Sequence, residues 1–269
     1  MSAKFYIVAT PIGNLADITF RAIDILKEVD YIACEDTRVS KILCDKYGIV
    51  AKLFDCHKFN EVEKSSKILS LLNDGKSVAL VSDAGTPCIS DPGSSLIKIL
   101  RENNIEITSI PGACAVTTFL THIPRNTEEY SFIGFIPRVK KQQIEILNKY
   151  QYTNCVFYES PNRLMETLDN IKSEFGEETK IAVGRELTKV FEEVKIGTVQ
   201  EIIDYYTENT LKGEIVAMVF ASDTCDMQYE EIKQKISALK NEGFSNKDIS
   251  VILSKLFNIN KNKIYKLTI

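Results

Sequence analysis

Five short apolar runs, each followed by a stretch with helical spacing, constrain the first half of this 269-residue chain more than any other feature. They are Lys4 to Thr10, Tyr31 to Cys34, Ala51 to Phe54, Val78 to Val81 and Ile105 to Ile110. The first, with Phe5 to Ala9 all apolar or aromatic, reads as a buried strand, and the others as short strands. Strands alternating with helices give a mostly parallel sheet covered on both sides, an α/β architecture. Between the strands, Asp17 is placed to cap a helix carrying Ile18, Ala22, Ile25, Leu26 and Val29. A second helix runs from about Ser40 to Tyr47 and stops at Gly48. Asn60 and Glu63 have the spacing of a capping box, Leu96 to Glu102 reads as a helix, and Pro111-Gly112-Ala113 opens another.

After the fourth strand comes Ser82-Asp83-Ala84-Gly85-Thr86-Pro87-Cys88-Ile89-Ser90-Asp91-Pro92-Gly93. An ordinary strand-to-helix connection needs only about two to six residues. This one is longer, rich in small residues, and leaves the carboxyl end of a strand, where α/β proteins hold their ligands. It is read as a binding loop, with a plain connection as the alternative.

The second half is patterned differently. Pro124 to Glu129 reads as a linker, followed by strands at Ser131 to Ile136, Asn154 to Tyr158, Lys180 to Gly184, Phe191 to Gly197 and Ile215 to Phe220. Lys140 to Tyr150 reads as a charged helix. Ser160 followed by Pro161 signals a helix start, and Thr198 with Glu201 is a second capping box. After a second linker at Ser222 to Met227, Glu230 to Asn241, Asp248 to Phe257 and Lys261 to Leu267 read as helices, the last entered through Asn258-Ile259-Asn260. The expected domains are therefore 1–123, 124–224 and a helical tail, 225–269, which resembles a helix-turn-helix unit and is equally compatible with a regulatory or purely packing role. From Asp226 onward the tail has eight lysines against five acids, a balance of +3, which leaves −7 for the rest of a chain whose net charge is −4. The tail could touch phosphates or simply present a solvated lysine face.

Several function classes drop out. The 44% hydrophobic content suffices for a core, but no run of about 18 apolar residues suggests a membrane span. The first strand starts at Lys4, which leaves no room for a signal peptide, so a cytoplasmic location is expected. Seven cysteines without a Cys-x-x-Cys pair point to reduced thiols rather than disulfides or zinc. Only His57 and His122 are histidines, which disfavours a metal site or a Ser-His-Asp triad. A Gly-x-Gly-x-x-Gly fingerprint, a Walker loop and a nucleophile elbow are all missing.

What remains is a series of loops at strand ends. They are Ala9-Thr10-Pro11-Ile12-Gly13-Asn14, Ala33-Cys34-Glu35-Asp36-Thr37-Arg38, the loop from Ser82 to Gly93, Ile110-Pro111-Gly112-Ala113, Phe157-Tyr158-Glu159-Ser160 with Arg163-Leu164, and Gly184-Arg185-Glu186-Leu187-Thr188-Lys189. In this order the chain resembles the tetrapyrrole methylase family, and within it the branch acting on small-subunit ribosomal RNA. Gly184 departs from the pattern, where alanine or a similar small residue is expected. The resemblance implies two α/β domains of the tetrapyrrole methylase type, with S-adenosyl-L-methionine in the cleft between them, plus the C-terminal helical tail. It implies methylation of a cytidine ribose 2′-hydroxyl in the decoding region, by a homodimer. Other readings are methylation of a tetrapyrrole precursor on the same fold, and a non-catalytic RNA- or ribosome-binding protein.

For such a cofactor, Pro11, Asp83, Ala84, Gly85, Thr86, Pro87, Pro111, Gly112 and Ala113 are candidates in the first domain, and Tyr158, Glu159 and Gly213 in the second. Asp83 could instead be a turn cap, and Lys212-Gly213-Glu214 a plain loop. A ribose hydroxyl needs its proton removed, so Glu35, Asp36, Glu159, Glu186 and Lys189 are candidates, with Asp36 and Glu186 preferred for proton removal and Lys189 alongside. Arg38, Arg163 and Arg185 could hold RNA phosphates. Each charged group could also sit in an inter-domain ion pair.

Overall fold

The computed structural model describes residues 4–57, 60–91, 93–222, 224–257, 259 and 261–268. Pro92, Asn258 and Asn260, named above within loops, lie outside them.

The first half alternates as expected: β1 Phe5–Val8, α1 Phe20–Glu28, β2 Tyr31–Cys34, α2 Thr37–Tyr47, β3 Lys52–Asp55, α3 Glu61–Asn73, β4 Val78–Leu80, α4 Ser94–Glu102, β5 Ile107–Ile110 and α5 Ala115–Thr121. The strands form a parallel sheet in the order β3-β2-β4-β1-β5. Side chains alternate between its faces, as a strand's period of two requires. Ile32 and Cys34 of β2 pack with Ala22, Leu26 and Leu43 from α1 and α2. Ala33 of the same strand packs on the opposite face with Ile68, Leu72, Leu96 and Leu100 from α3 and α4. β1 and β4 are neighbours, yet the helices that follow them lie on opposite faces. That divergence is a topological switch point, where an α/β sheet opens a crevice at its carboxyl edge.

The second half contributes β6 Tyr130–Phe135, α6 Lys140–Lys149, β7 Asn154–Glu159, α7 Pro161–Phe175, β8 Lys180–Arg185, β9 Glu193–Thr198, α8 Val199–Glu208 and β10 Ile215–Val219. Its sheet order is β6-β7-β10-β8-β9, parallel only between β6 and β7. One face, with Cys155, Phe157, Ile181 and Ala217, buries Leu147, Leu164, Leu168 and Ile202 of its own helices. The other, with Val156, Ala182, Val216 and Met218, is covered by Val116, Phe119 and Leu120 of α5 and by Ile12. So α5, which follows the first sheet in the chain, supplies the roof of the second. Gly184 explains itself here: a Cβ on it would stand 2.6 Å from Phe119 Cδ2. The ring takes the space in which the expected alanine would place its methyl.

Helices α9 Thr224–Asn241, α10 Asn246–Phe257 and α11 Lys261–Leu267 form the tail, with Ile232, Ile236, Ile249, Leu253 and Ile264 as a core of their own.

Several helix starts differ from expectation, and α9 begins at Thr224, inside the stretch expected as a linker at Ser222 to Met227. Thr19, not Asp17, caps α1, its hydroxyl accepting from Ala22 N, while Asp17 ends a short 3-10 turn. Asn60 forms no capping box; its Oδ1 accepts from His57 N instead, at 2.8 Å. Ser160 stands at the cap position of α7 with Pro161 behind it, but its side chain makes no capping bond. The Thr198–Glu201 capping box forms in both directions.

Candidate active site

Three loops meet at the carboxyl edge of the first sheet. Thr10 N donates to Gly85 O at 2.9 Å, and Gly85 N returns to Thr10 O at 3.1 Å. Thr10 Oγ1 donates to Ser82 O at 3.0 Å, and Thr86 Oγ1 to Ala113 O at 3.0 Å. These bonds gather Pro11, Ala84 to Pro87 and Pro111 to Ala113 across the switch point.

An acidic rim borders them. Asp36 caps α2 and its carboxylate is gripped by Arg38, whose Nη2 donates at 2.6 Å. That bond holds Asp36 down at about 2. Asp83 Oδ1 accepts from Asp36 N at 3.0 Å. Burial pushes Asp83 up, as it does Glu35 and Asp91, and repulsion adds to the rise: from Asp36 on Asp83, from Asp83 and Asp91 on Glu35, and from Asp83 on Asp91. Asp91 lies in the recognised loop, yet only the fold gives it carboxylate neighbours.

The second lobe completes the rim. Tyr158 at the end of β7 packs edge-on against Phe132 and Phe135, with ring centroids 5.1 and 5.4 Å away. Burial raises its phenol, and the charges of Asp91 and Glu214 push the same way. Tyr158 thus stands where both lobes meet. Glu159 points elsewhere: it is 2% exposed, accepts from Thr167 Oγ1 at 2.7 Å and from Ser160 N at 2.6 Å, and pairs with Arg163. Glu159 and Arg163 are therefore joined to each other inside the second lobe.

Glu186, Lys189 and Glu214 form a compact network. Lys189 Nζ lies 2.7 Å from Glu186 Oε1 and 2.9 Å from Glu214 Oε2, and Glu214 N donates to Glu186 Oε1 at 3.0 Å. Burial works against the charge on Glu186, but Lys189 and the Glu214 amide outweigh it, and the carboxyl ends below its ordinary value of 4.5. Burial likewise opposes the charge on Lys189, and its two carboxylate partners raise it above 10.5 nonetheless. Gly213 has φ +91°, and a Cβ there would collide with the Glu186 carboxylate. Across the lobes, Asn14 N donates to Thr188 Oγ1 at 3.1 Å. Thr188 and Glu186 both have positive φ, 65° and 52°, a costly backbone for such residues that tends to occur at functional sites. Arg185 faces Glu193 Oε1 at 3.5 Å.

Among the described residues, no group of three or more His, Cys, Asp or Glu side chains is placed to hold a metal ion, and no helix is long and apolar enough to cross a membrane. The described cysteines are unpaired, and burial pushes the Cys34 and Cys56 thiols up to about 11.

Residues 4–203 match the family described as Tetrapyrrole (Corrin/Porphyrin) Methylases, and the chain belongs to that family. It is 38% identical to Ribosomal RNA small subunit methyltransferase I of Haemophilus influenzae, over 99% of this chain and 96% of that protein. To the Bacillus subtilis protein of the same name it is 44% identical, over 84% of this chain and 78% of the other. Among solved structures, diphthine synthase shares the fold with a TM-score of 0.65 at 12% identity, over 82% of this chain and 90% of that one. Uroporphyrin-III-C-methyltransferase of Thermus thermophilus shares it with a TM-score of 0.57 at 16% identity, over 82% and 94%.

Proposed function

We propose that this protein transfers a methyl group from S-adenosylmethionine to the ribose 2′-hydroxyl of a cytidine in the decoding region of small-subunit ribosomal RNA, in the cytoplasm and as a homodimer. The observation that carries the reading is the 38% identity to a Ribosomal RNA small subunit methyltransferase I across 99% of the chain, both rims of the cleft included.

The residues present fit the cofactor. When bound, it supplies an electrophilic methyl on a positively charged sulfonium. Glu35, Asp83 and Asp91, raised by burial and by carboxylate neighbours, would be relieved by a cation beside them. Tyr158 would offer an aromatic face, and the turns at Ala84 to Pro87 and Pro111 to Ala113 backbone donors and acceptors. Gly213 keeps the Glu186 carboxylate seated at the second rim. Glu159 supports this rim from behind, through Arg163 and Thr167.

A general base works best with a pKa approaching the working pH. Asp36 and Glu186 are both held below the ordinary carboxylate range. Glu35 is raised instead. The candidates for proton removal are therefore Glu35, Asp36 and Glu186. Asp36 orients Arg38, and the Glu186–Lys189 pair presents a fixed charge where the ribose enters. Arg38, with an 89% exposed side chain, is open to a flanking phosphate. Arg163 and Arg185 reach RNA only by exchanging Glu159 and Glu193.

Tritiated S-adenosylmethionine offered to small subunits, naked ribosomal RNA and a tetrapyrrole precursor tests the reading. Label in the RNA of the subunits is expected. Label in the tetrapyrrole alone, or no transfer to any of the three, overturns it.

A further inference from the structure

Beside the Glu186–Lys189–Glu214 network, the second lobe holds a cleft of about 380 Å³ between the β8–β9 turn, the end of α8 and the loop before β10. Its walls include Arg185, Phe191, Tyr205, Asn209, Lys212 and Gly213. The volume is within the range of about 300–1,000 Å³ common to small-ligand clefts. We propose that this cleft receives an unpaired nucleobase adjacent to the acceptor nucleotide, stacked on Phe191; the proposal rests on RNA being the substrate.

Phe191 is 70% exposed next to Val190, which is 93% exposed, so neither ring nor side chain is there for the core. The Arg185 guanidinium is held flat between Glu193 Oε1 at 3.5 Å and Lys212 O at 3.5 Å, and its buried Nε has no well-formed hydrogen bond. The Tyr205 hydroxyl is spent on Glu193 at 2.5 Å, and Lys195 Nζ lies over its ring, 4.0 Å from the centroid. Asn209 gives its Nδ2 to Tyr205 O at 2.8 Å and keeps Oδ1 as an acceptor.

The charge balance decides what kind of ligand suits this lining. Arg185, Lys212 and the adjoining Lys189 are offset by Glu186, Glu193 and Glu214, so the cleft does not concentrate phosphate. A flat, neutral ring with donors and acceptors on its edge matches an aromatic face, a guanidinium plane and an amide oxygen. Unpaired RNA bases are recognised by these same contacts. Because Glu186 and Gly213 belong to both the cleft and the catalytic rim, the base bound here neighbours the acceptor.

The test compares wild type, Phe191→Ala and Phe191→Trp in binding to small ribosomal subunits lacking the methyl group, with S-adenosylmethionine binding followed by calorimetry. Phe191→Ala is expected to weaken subunit binding about tenfold, about 1.4 kcal/mol, with cofactor affinity unchanged and with Phe191→Trp restoring it. The proposal is overturned if Phe191→Ala binds subunits as wild type does. It is equally overturned if cofactor affinity falls instead, which would give the cleft to the cofactor. Wild-type enzyme that fails to methylate subunits at all would remove the reading beneath the proposal, an outcome separate from either.

Discussion

Lys189 lies so close over Gly13 that a Cβ on the glycine would stand 2.5 Å from Lys189 Cγ, joining the first loop of one lobe to the charged turn of the other. The neighbouring bond from Asn14 N to Thr188 Oγ1 ties the same two segments, 174 residues apart.

Gly13→Ala is expected to push Lys189 off Glu186 and Glu214. The cost is expected near 1–3 kcal/mol, the usual range for an added methylene in a packed contact, read as a lower melting temperature. Methyl transfer should fall further than stability does, which a single-turnover assay on the folded variant measures.

Gly184→Ala meets Phe119, which is fully buried. The expected loss is again about 1–3 kcal/mol by urea unfolding. Phe119→Leu in the same chain should recover part of it, so the two changes should be non-additive in a double-mutant cycle.

The raised carboxyl of Asp91 has a definite sign in stability. Its folded value exceeds its unfolded one, so the ionised form is a penalty present above the folded pKa and relieved as pH falls toward the unfolded one. Asp91→Asn is therefore expected to raise the melting temperature at pH 7, with the gain fading in acid. It should also weaken S-adenosylmethionine binding by roughly tenfold, the weight of one charged contact.

Glu186 runs the other way. Its carboxyl is lowered from 4.5, so its contribution is present above the unfolded value and lost as pH falls through the folded one. Glu186→Gln should flatten the acid side of the melting-temperature profile. An unchanged profile would mean that the pair with Lys189 adds nothing.

Much of this was legible in the chain. The alternation of strands and helices set the first sheet, because each apolar run carried its own period. The loop from Ser82 to Gly93 advertised itself through length and small residues. What stayed hidden depended on partners far away in sequence. Glu159 reads as a cleft carboxylate, yet its partners are Ser160, Arg163 and Thr167. The placement of α5 on the second sheet, and the reason for Gly184, required knowing where Phe119 points. Thr19 displaced Asp17 as a cap because only the threonine hydroxyl reaches Ala22 N, at 3.1 Å.

The central claim is that turns from both lobes hold one cofactor, and calorimetric titration with S-adenosylmethionine tests it directly. Wild type is expected to bind, and Asp83→Asn from one lobe and Tyr158→Ala from the other are each expected to weaken binding at least about tenfold while the fold persists. Wild type that does not bind, or either variant binding as tightly as wild type, would contradict it.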